Sequence, residues 1–164
     1  MNRNILWLQG SEMDNQLVQN RINAIHDSRI PEKVLKKNIV AKFHTFYEEN
    51  EYCALGSDWF LIYRVEDNNV FIEFIESLNS NEEVFERGIE MLDVFKKLLL
   101  TYLDYNFFAY LNSFSRPFYE LAISKGLILE IENENNEVKF KVQPRFKLKT
   151  DYKKLKFWRI YETK

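Results

Sequence analysis

The spacing of apolar residues changes several times along the chain, and each change predicts a new element. Residues 4–10, NILWLQG, form a short apolar run that ends at a glycine, as expected of a strand. Across residues 11–28 the apolar side chains recur every three or four positions, which predicts an amphipathic helix. A second helix is predicted over residues 31–49, where Pro31 suits the first turn. The chain therefore opens with one strand and two helices.

Three apolar segments then follow one another, and turn residues separate them. The segments are EYCALG (51–56), DWFLIYRVE (58–66) and VFIEFIES (70–77). Gly56-Ser57-Asp58 and Asp67-Asn68-Asn69 lie between them and favour tight turns. This pattern predicts three consecutive antiparallel strands, a β-meander.

After the meander the period becomes helical over residues 79–103, which predicts the longest helix of the chain. Ser80 is its predicted N-cap, with Glu83 three residues later as in a capping box. The remaining predicted elements are a strand at 106–113 (NFFAYLNS), a short helix at 115–126 that Gly126 ends, and a hairpin formed by 127–133 and 137–143 around Asn133–Asn136.

The composition is that of an ordinary globular chain. With 164 residues, 46% of them hydrophobic and 16% aromatic, it can bury one substantial core, and this length favours a single domain. No apolar run approaches the roughly 18 to 20 residues of a membrane helix, and the N-terminal run is too short for a secretory signal. We therefore expect a cytoplasmic protein without membrane contact. Because Cys53 is the only cysteine and His26 and His44 are the only histidines, no disulfide and no zinc site are expected.

The formal charge of −2 is divided unevenly along the chain. Residues 145–164 hold eight Lys or Arg against two acids, a net charge of +6, which leaves −8 on residues 1–144. Aromatic residues are interleaved with these cations, a composition that suits stacking on nucleic-acid bases. The same composition suits docking of this tail on the acidic body of the chain or on a partner protein. The sequence leaves these alternatives open.

The predicted order is strand, helix, helix, three strands, helix, strand, helix, two strands. This order resembles that of the GCN5-related N-acetyltransferase (GNAT) family over residues 1–143, and the local similarity is best from Val70 to Gly126. The resemblance implies an α/β (α+β) fold: one GNAT-like domain with a mixed central sheet of about six or seven strands and about four flanking helices. It implies that residues 144–164 are a C-terminal extension packed on this domain. It also requires strands VFIEFIES and NFFAYLNS to be adjacent and not antiparallel. The alternative is an unrelated α/β domain with the same order of elements by chance.

The resemblance also implies a cofactor. Family members bind acetyl-CoA in a V-shaped opening between the fourth and fifth strands and transfer its acetyl group to an amine. In this chain, the amides of the pantetheine arm would pair with the backbone around Phe74 to Ser77, much as an added strand does. The resemblance thus implies that Phe74, Ile75 and Glu76 bind acetyl-CoA and that the second substrate is an amine.

The phosphate-binding loop of the family begins the long helix. Its pattern is Gln or Arg, two residues, Gly, one residue, then Gly or Ala, so that helix N–H groups meet an anion without steric hindrance. In FERGIEML, residues 85–92, Gly88 matches the central glycine, Arg87 offers a cation, and Ile89 follows them. The resemblance implies that these three residues contact the cofactor.

Two positions of this loop depart from the family pattern. Phe85 replaces the Gln or Arg, and Glu90 replaces the last small residue. A carboxylate beside a diphosphate is repulsive by roughly 1 to 4 kcal/mol per pair. A helix that begins before the loop would also leave the N–H of Gly88 already bonded. Both a working and a lost phosphate site therefore remain open.

The family commonly uses a base for the amine proton and a tyrosine that protonates the departing thiolate. Glu73 and Glu76 are the candidate bases, and Glu73 is the predicted one. Because side chains alternate along a strand, we expect the two carboxylates to point to opposite faces. Tyr119 is the predicted acid, although the family tyrosine usually lies closer to the glycine that ends this helix, and core packing is the alternative role. Asn112, after the fifth strand, is similar to a residue often found in the family and is a predicted cofactor contact.

Two functions follow from these observations. The first is an acyl-CoA-dependent N-acetyltransferase that acts on an amine. The second is a non-catalytic protein that keeps this fold as a scaffold and binds a protein or a nucleic acid through residues 145–164.

Overall fold

The computed structural model describes residues 5–29, 47–78, 84–111, 115–134 and 137–142, with the backbone alone at 84–86 and 132. The strands are β1 (Leu6–Gln9), β2 (Glu51–Leu55), β3 (Trp59–Glu66), β4 (Asn69–Ser77), β5 (Asn106–Tyr110), β6 (Ile128–Glu134) and β7 (Glu137–Val142). The helices are a short 3-10 helix (Gly10–Asp14), α1 (Gln16–Asp27), α2 (Val84–Thr101) and α3 (Arg116–Ser124). Most of the predicted second helix, the predicted cap at Ser80 and the C-terminal tail lie outside the described residues.

The strands form one seven-stranded mixed sheet in the order β1-β2-β3-β4-β5-β7-β6. β4 and β5 are the one parallel pair among the described strands, and the other neighbours are antiparallel. The adjacency that the resemblance requires of VFIEFIES and NFFAYLNS is therefore confirmed. The parallel direction follows from α2, because a chain that re-enters a sheet in the same direction needs a crossover connection. The predicted fold class, an α+β domain around a mixed sheet, is confirmed as well.

The sheet separates two apolar cores. On the face covered by α2 and α3, the core includes Phe95, Leu98, Phe107 and Phe140, all fully buried. On the face covered by α1, a smaller core includes Met13, Ile22, Phe60 and Ile62. We call these faces the α2–α3 face and the α1 face. Each large side chain buried in this way contributes about 1.5 to 3 kcal/mol to folding.

The single helix predicted over residues 11–28 is divided in two. Gly10 has a φ of +55°, a backbone conformation that favours glycine, and the 3-10 helix begins there. Asn15 then caps α1, because its Oδ1 accepts hydrogen bonds from the N–H of Leu17 at 2.9 Å and of Val18 at 3.4 Å. No helix in the described ranges has the length and apolar character needed to cross a bilayer.

A β-bulge interrupts the pairing of β3 with β4. Ile62 is opposite Phe74, but its neighbour Tyr63 is opposite Ile72, so Glu73 is an extra residue in β4. A bulge of this kind bends the strand and shifts the alternation of side chains by one position. Ile72 lies in the core of the α2–α3 face, whereas Phe74 packs against the core of the α1 face.

The bulge changes where the two candidate bases point. Glu76 contacts His26 of α1, and Glu73 lies 3.8 Å from Arg64. Tyr63 and Val65 pack in or against the α2–α3 core, so alternation along β3 turns Arg64 to the other face. The expectation that Glu73 and Glu76 point to opposite faces is therefore wrong. Simple alternation does not hold across a bulge, and both carboxylates lie on the α1 face.

Cys53 lies in the core of the α1 face, and burial raises the pKa of its thiol to about 12. Since the thiolate is the reactive form, we expect the folded protein to be inert toward a chromogenic disulfide reagent at about pH 8, and to release one equivalent of chromophore after unfolding in denaturant. Rapid reaction of the native protein would contradict the burial of this side chain.

The same shift predicts a loss of stability in alkali. The folded state favours the neutral thiol. The contribution of Cys53 to the free energy of unfolding is therefore fully present below the unfolded pKa of about 9 and is lost as the pH rises toward 12. Denaturant titrations over this range, compared with those of Cys53→Ala, measure this contribution, which can reach about 1.4 kcal/mol per pH unit.

Candidate functional site

The pairing of β4 with β5 ends before β4 does. The last pair is Ile72 with Ala109, whereas β4 continues to Ser77. Among the described strands, Glu73–Ser77 therefore pairs only with β3. The bulge at Glu73 bends β4 at the point where the parallel pairing stops. On its β5 side, this segment extends beyond the pairing that the described residues of β5 make.

Gly88 lies beside open space on α2. A Cβ placed on it would meet no heavy atom of the described residues within 4 Å, apart from the helix's own neighbouring backbone. The helix already includes Val84, so the N–H of Gly88 is bonded within the i to i−4 ladder. Gly88 can therefore offer a ligand close approach to the helix but no hydrogen-bond donor. Ile89, its neighbour, is 48% exposed.

Arg87 forms an ion pair instead of extending into solvent. The residue is 5% exposed, and its Nη1 lies 3.3 Å from Oδ2 of Asp58, in the turn before β3. The guanidinium therefore joins α2 to the β2–β3 turn.

Glu90, the carboxylate that replaces a small residue of the family pattern, has a hydrogen-bond donor within the domain. The Nε1 of Trp59 donates to its Oε1 at 2.6 Å, and Trp59 is itself buried. A hydrogen bond to a charged acceptor is among the stronger ones in proteins. This bond fixes the carboxylate toward β3, so Glu90 also has a structural role.

The end of α1 is joined to the end of β4 by polar contacts. The Nδ1 of His26 lies 2.8 Å from Oε1 of Glu76, a residue that is 3% exposed. Two residues beyond α1, Arg29 donates from Nε to the carbonyl oxygen of Ser77 at 2.5 Å and from Nη2 to its hydroxyl at 2.6 Å. Burial, and then the neighbouring Arg87, lower the pKa of Arg29, and the carboxylate of Glu76 opposes them.

Glu73 lies further down β4 in a different set of contacts. Its Oε1 is 3.8 Å from Nη1 of Arg64, whose Nε is 3.4 Å from Oε2 of Glu66. The guanidinium carbon of Arg64 lies 4.6 Å from the centre of the Phe71 ring. Glu73 is thus part of a charged network across β3 and β4, on the same face as Glu76.

Tyr119 lies on the other side of the sheet. It is 3% exposed, and its ring packs against Phe95, Phe118 and Phe140 in the α2–α3 core. Its hydroxyl has no hydrogen-bond partner among the described residues, and burial raises its pKa. The fold therefore does not bring Glu73 and Tyr119 together, because they lie on opposite faces.

Of the other predicted contacts, Phe74, Ile75 and Glu76 lie in the part of β4 beyond the parallel pairing. Asn112 lies outside the described residues. Within the described ranges, no cluster of three His, Cys, Asp or Glu could hold a metal ion.

Sequence reasoning did not single out the partners of these residues. His26, Asp58 and Trp59 are brought to Glu76, Arg87 and Glu90 only by the tertiary fold. The turn signal at Gly56-Ser57-Asp58 was visible in the sequence, but not the helix that packs against it.

No model of a known protein family matches the chain. No curated protein matches its sequence either. A solved structure to which the chain is similar is the PaiA N-acetyltransferase from Thermoplasma acidophilum, in complex with coenzyme A. The similarity covers 87% of this chain and 99% of that chain, with a TM-score of 0.47 and 12% sequence identity.

Proposed function

We propose that the protein binds an acyl-CoA, with acetyl-CoA as the first candidate, and transfers the acyl group to an amine. The observation that carries this proposal is the parallel pairing of β4 with β5, which ends at Ile72 while β4 continues to Ser77. A site of this shape suits a ligand that carries amides in an extended arm, because such an arm can bond to the backbone of a strand where that strand diverges from its neighbour.

The cofactor contacts follow from this geometry. The pantetheine amides would bond to the backbone of Phe74, Ile75 and Glu76, which requires no particular side chains. The diphosphate would lie toward α2, where the missing side chain of Gly88 leaves space. Because Arg87 is bound to Asp58, it would contribute its charge from within the protein and would hold the helix against the β2–β3 turn.

The non-catalytic alternative relies on residues 145–164, which lie outside the described part of the chain. No described contact favours that alternative over transfer, so transfer is the function that we test.

We expect isothermal titration with acetyl-CoA and with CoA to give dissociation constants of about tens of micromolar or below, equivalent to roughly −6 to −7 kcal/mol. Gly88→Trp should abolish this binding, because an indole would fill the space beside α2. Gly88→Ala is the matched control. A methyl group meets no neighbour at this position, and alanine favours a helix over glycine by about 1 kcal/mol. This variant should keep binding and gain stability.

Two outcomes would count against the proposal. The first is an absence of heat, and of any thermal shift, at millimolar acetyl-CoA. The second is binding that Gly88→Trp leaves unchanged, which would place the ligand elsewhere. In the first case the search should move to partners of the C-terminal tail.

A further inference from the structure

A histidine and a buried carboxylate form a pair beside the segment of β4 that extends beyond its described pairing with β5. We propose that His26 accepts the proton of the attacking amine and that Glu76 is the positioning residue that orients its imidazole. This inference rests on the proposed acyl transfer and assigns a residue that the sequence did not single out.

The pair has the geometry of a base held by a carboxylate. Oε1 of Glu76 lies 2.8 Å from Nδ1 of His26. A carboxylate can only accept a hydrogen bond, so the proton of the neutral imidazole is on Nδ1 and the lone pair is on Nε2. The side chain of Glu76 is 3% exposed and that of His26 is 20% exposed. The imidazole is thus the member of the pair that lies nearer to the surface.

The bulge in β4 makes this pair possible. If β4 continued past Ile72 without a bulge, simple alternation would turn Glu76 toward the α2–α3 core, away from α1. With the bulge, Glu76 meets the last turn of α1 within Glu73–Ser77, the segment that the proposed cofactor would follow. The bulge at Glu73 therefore lies where the described pairing of β4 with β5 ends, and it also turns the carboxylate of Glu76 toward His26.

The surroundings hold the pair in place. Arg29, just beyond α1, donates two hydrogen bonds to Ser77, the residue after Glu76. Of the described charged groups around the pair, Arg29 at the end of α1 interacts with Glu76, and Arg87 of α2, which is paired with Asp58, interacts with Arg29. The carboxylate of Glu76 interacts favourably with the guanidinium of Arg29 and raises the pKa of Arg29.

The amine nitrogen attacks the thioester carbonyl carbon, and a carbon–nitrogen bond forms. The proton on that nitrogen moves to Nε2 of His26, which becomes imidazolium and is stabilised by Glu76. The carbon–sulfur bond breaks, the electron pair leaves on the CoA sulfur, and one proton returns to that sulfur. The products are an amide and free CoA, and no other reactant is required.

The experiment compares the wild-type protein with His26→Gln, Glu76→Gln and, as control, His44→Gln, which removes the other histidine. Acetyl-CoA affinity is measured first, by calorimetry. Diethyl pyrocarbonate then modifies the histidines with and without bound acetyl-CoA, and mass spectrometry follows residues 26 and 44 separately. CoA release is finally measured from about pH 6 to 9 with n-butylamine, benzylamine and spermidine, and with water as acceptor.

We expect bound acetyl-CoA to slow modification of His26 at least about tenfold, and His26→Gln to bind acetyl-CoA within about threefold of wild type while CoA release falls about 100- to 10,000-fold. Glu76→Gln should lower kcat about tenfold or more while acetyl-CoA affinity stays within about threefold of wild type, because the imidazole loses the carboxylate that orients it. A merely structural role would not lower kcat while leaving binding unchanged. His44→Gln should behave as wild type.

The inference is overturned if acetyl-CoA binds without slowing modification of His26. It is also overturned if His26→Gln keeps CoA release within about threefold of wild type. A protein that binds acetyl-CoA but releases no CoA above background, with any acceptor, refutes the catalytic assignment while binding stands. A wild-type protein that binds no acetyl-CoA refutes the proposed function itself, and the calorimetry separates this case from the others.

Discussion

Gly56→Ala is expected to destabilise the fold by about 3 to 5 kcal/mol, which corresponds to a fall in melting temperature of roughly 10 °C. A Cβ on Gly56 would lie 2.2 Å from Nε1 and 2.5 Å from Cε2 of Trp59, far inside van der Waals contact. The indole cannot simply move aside, because it is 1% exposed and its Nε1 donates to Glu90. The substitution therefore adds the loss of a buried hydrogen bond, about 1 to 3 kcal/mol, to the cost of overpacking.

Thermal and denaturant unfolding measure this effect, and Gly88→Ala is the internal control. Both variants add one methyl group to a glycine, but the first methyl meets a buried indole and the second meets open space. The two stability changes should therefore have opposite signs. A Gly56→Ala protein as stable as wild type would show that Trp59 does not occupy the position described.

Arg87→Met is expected to destabilise the protein by about 3 kcal/mol. The substitution keeps the length of the side chain but leaves the carboxylate of Asp58, 13% exposed, without the guanidinium that lies 3.3 Å away. Arg87 also lowers the pKa of Arg29, so its removal relieves some repulsion between the two cations. This relief places the expected loss at the lower end of the range for a broken buried pair.

The double variant Arg87→Met with Asp58→Leu tests the cause. When both charges are replaced by apolar groups, no unpaired charge remains buried, and most of the lost stability should return. Additive effects of the two substitutions in a double-mutant cycle would contradict a direct pair. Acetyl-CoA titration of the folded double variant then measures whether the charge of Arg87 also contributes to cofactor binding.

Periodicity predicted the elements well because it reports which side chains are buried, and burial determines helices and strands alike. The meander, the long helix and the final hairpin all lie where the alternation placed them. The division at Asn15 was missed, because a capping residue inside an apolar pattern does not change its period. The direction of β5 beside β4 followed from the order of the elements and not from any residue in the two strands.

The candidate site was harder to predict because its contacts join distant parts of the chain. His26 and Glu76 are 50 residues apart, and Trp59 and Glu90 are 31 apart. No pattern within either segment identifies such a partner. The bulge at Glu73 also leaves no signal in the sequence, because VFIEFIES remains a good strand with or without it. The position of Tyr119 on its predicted helix allows a role in core packing, and the residue lies in the α2–α3 core.

The strand order has a consequence for how the chain folds. β2, β3 and β4 pair with one another in sequence order, and β6 pairs with β7, so these pairings close short loops. The pairing of β4 with β5 must wait for α2 to cross over, and closing a longer loop costs more entropy. We therefore expect two separately nucleated halves of the sheet that meet along β4 and β5 late in folding. The seam between them is where the sheet would first separate under force or in partial unfolding.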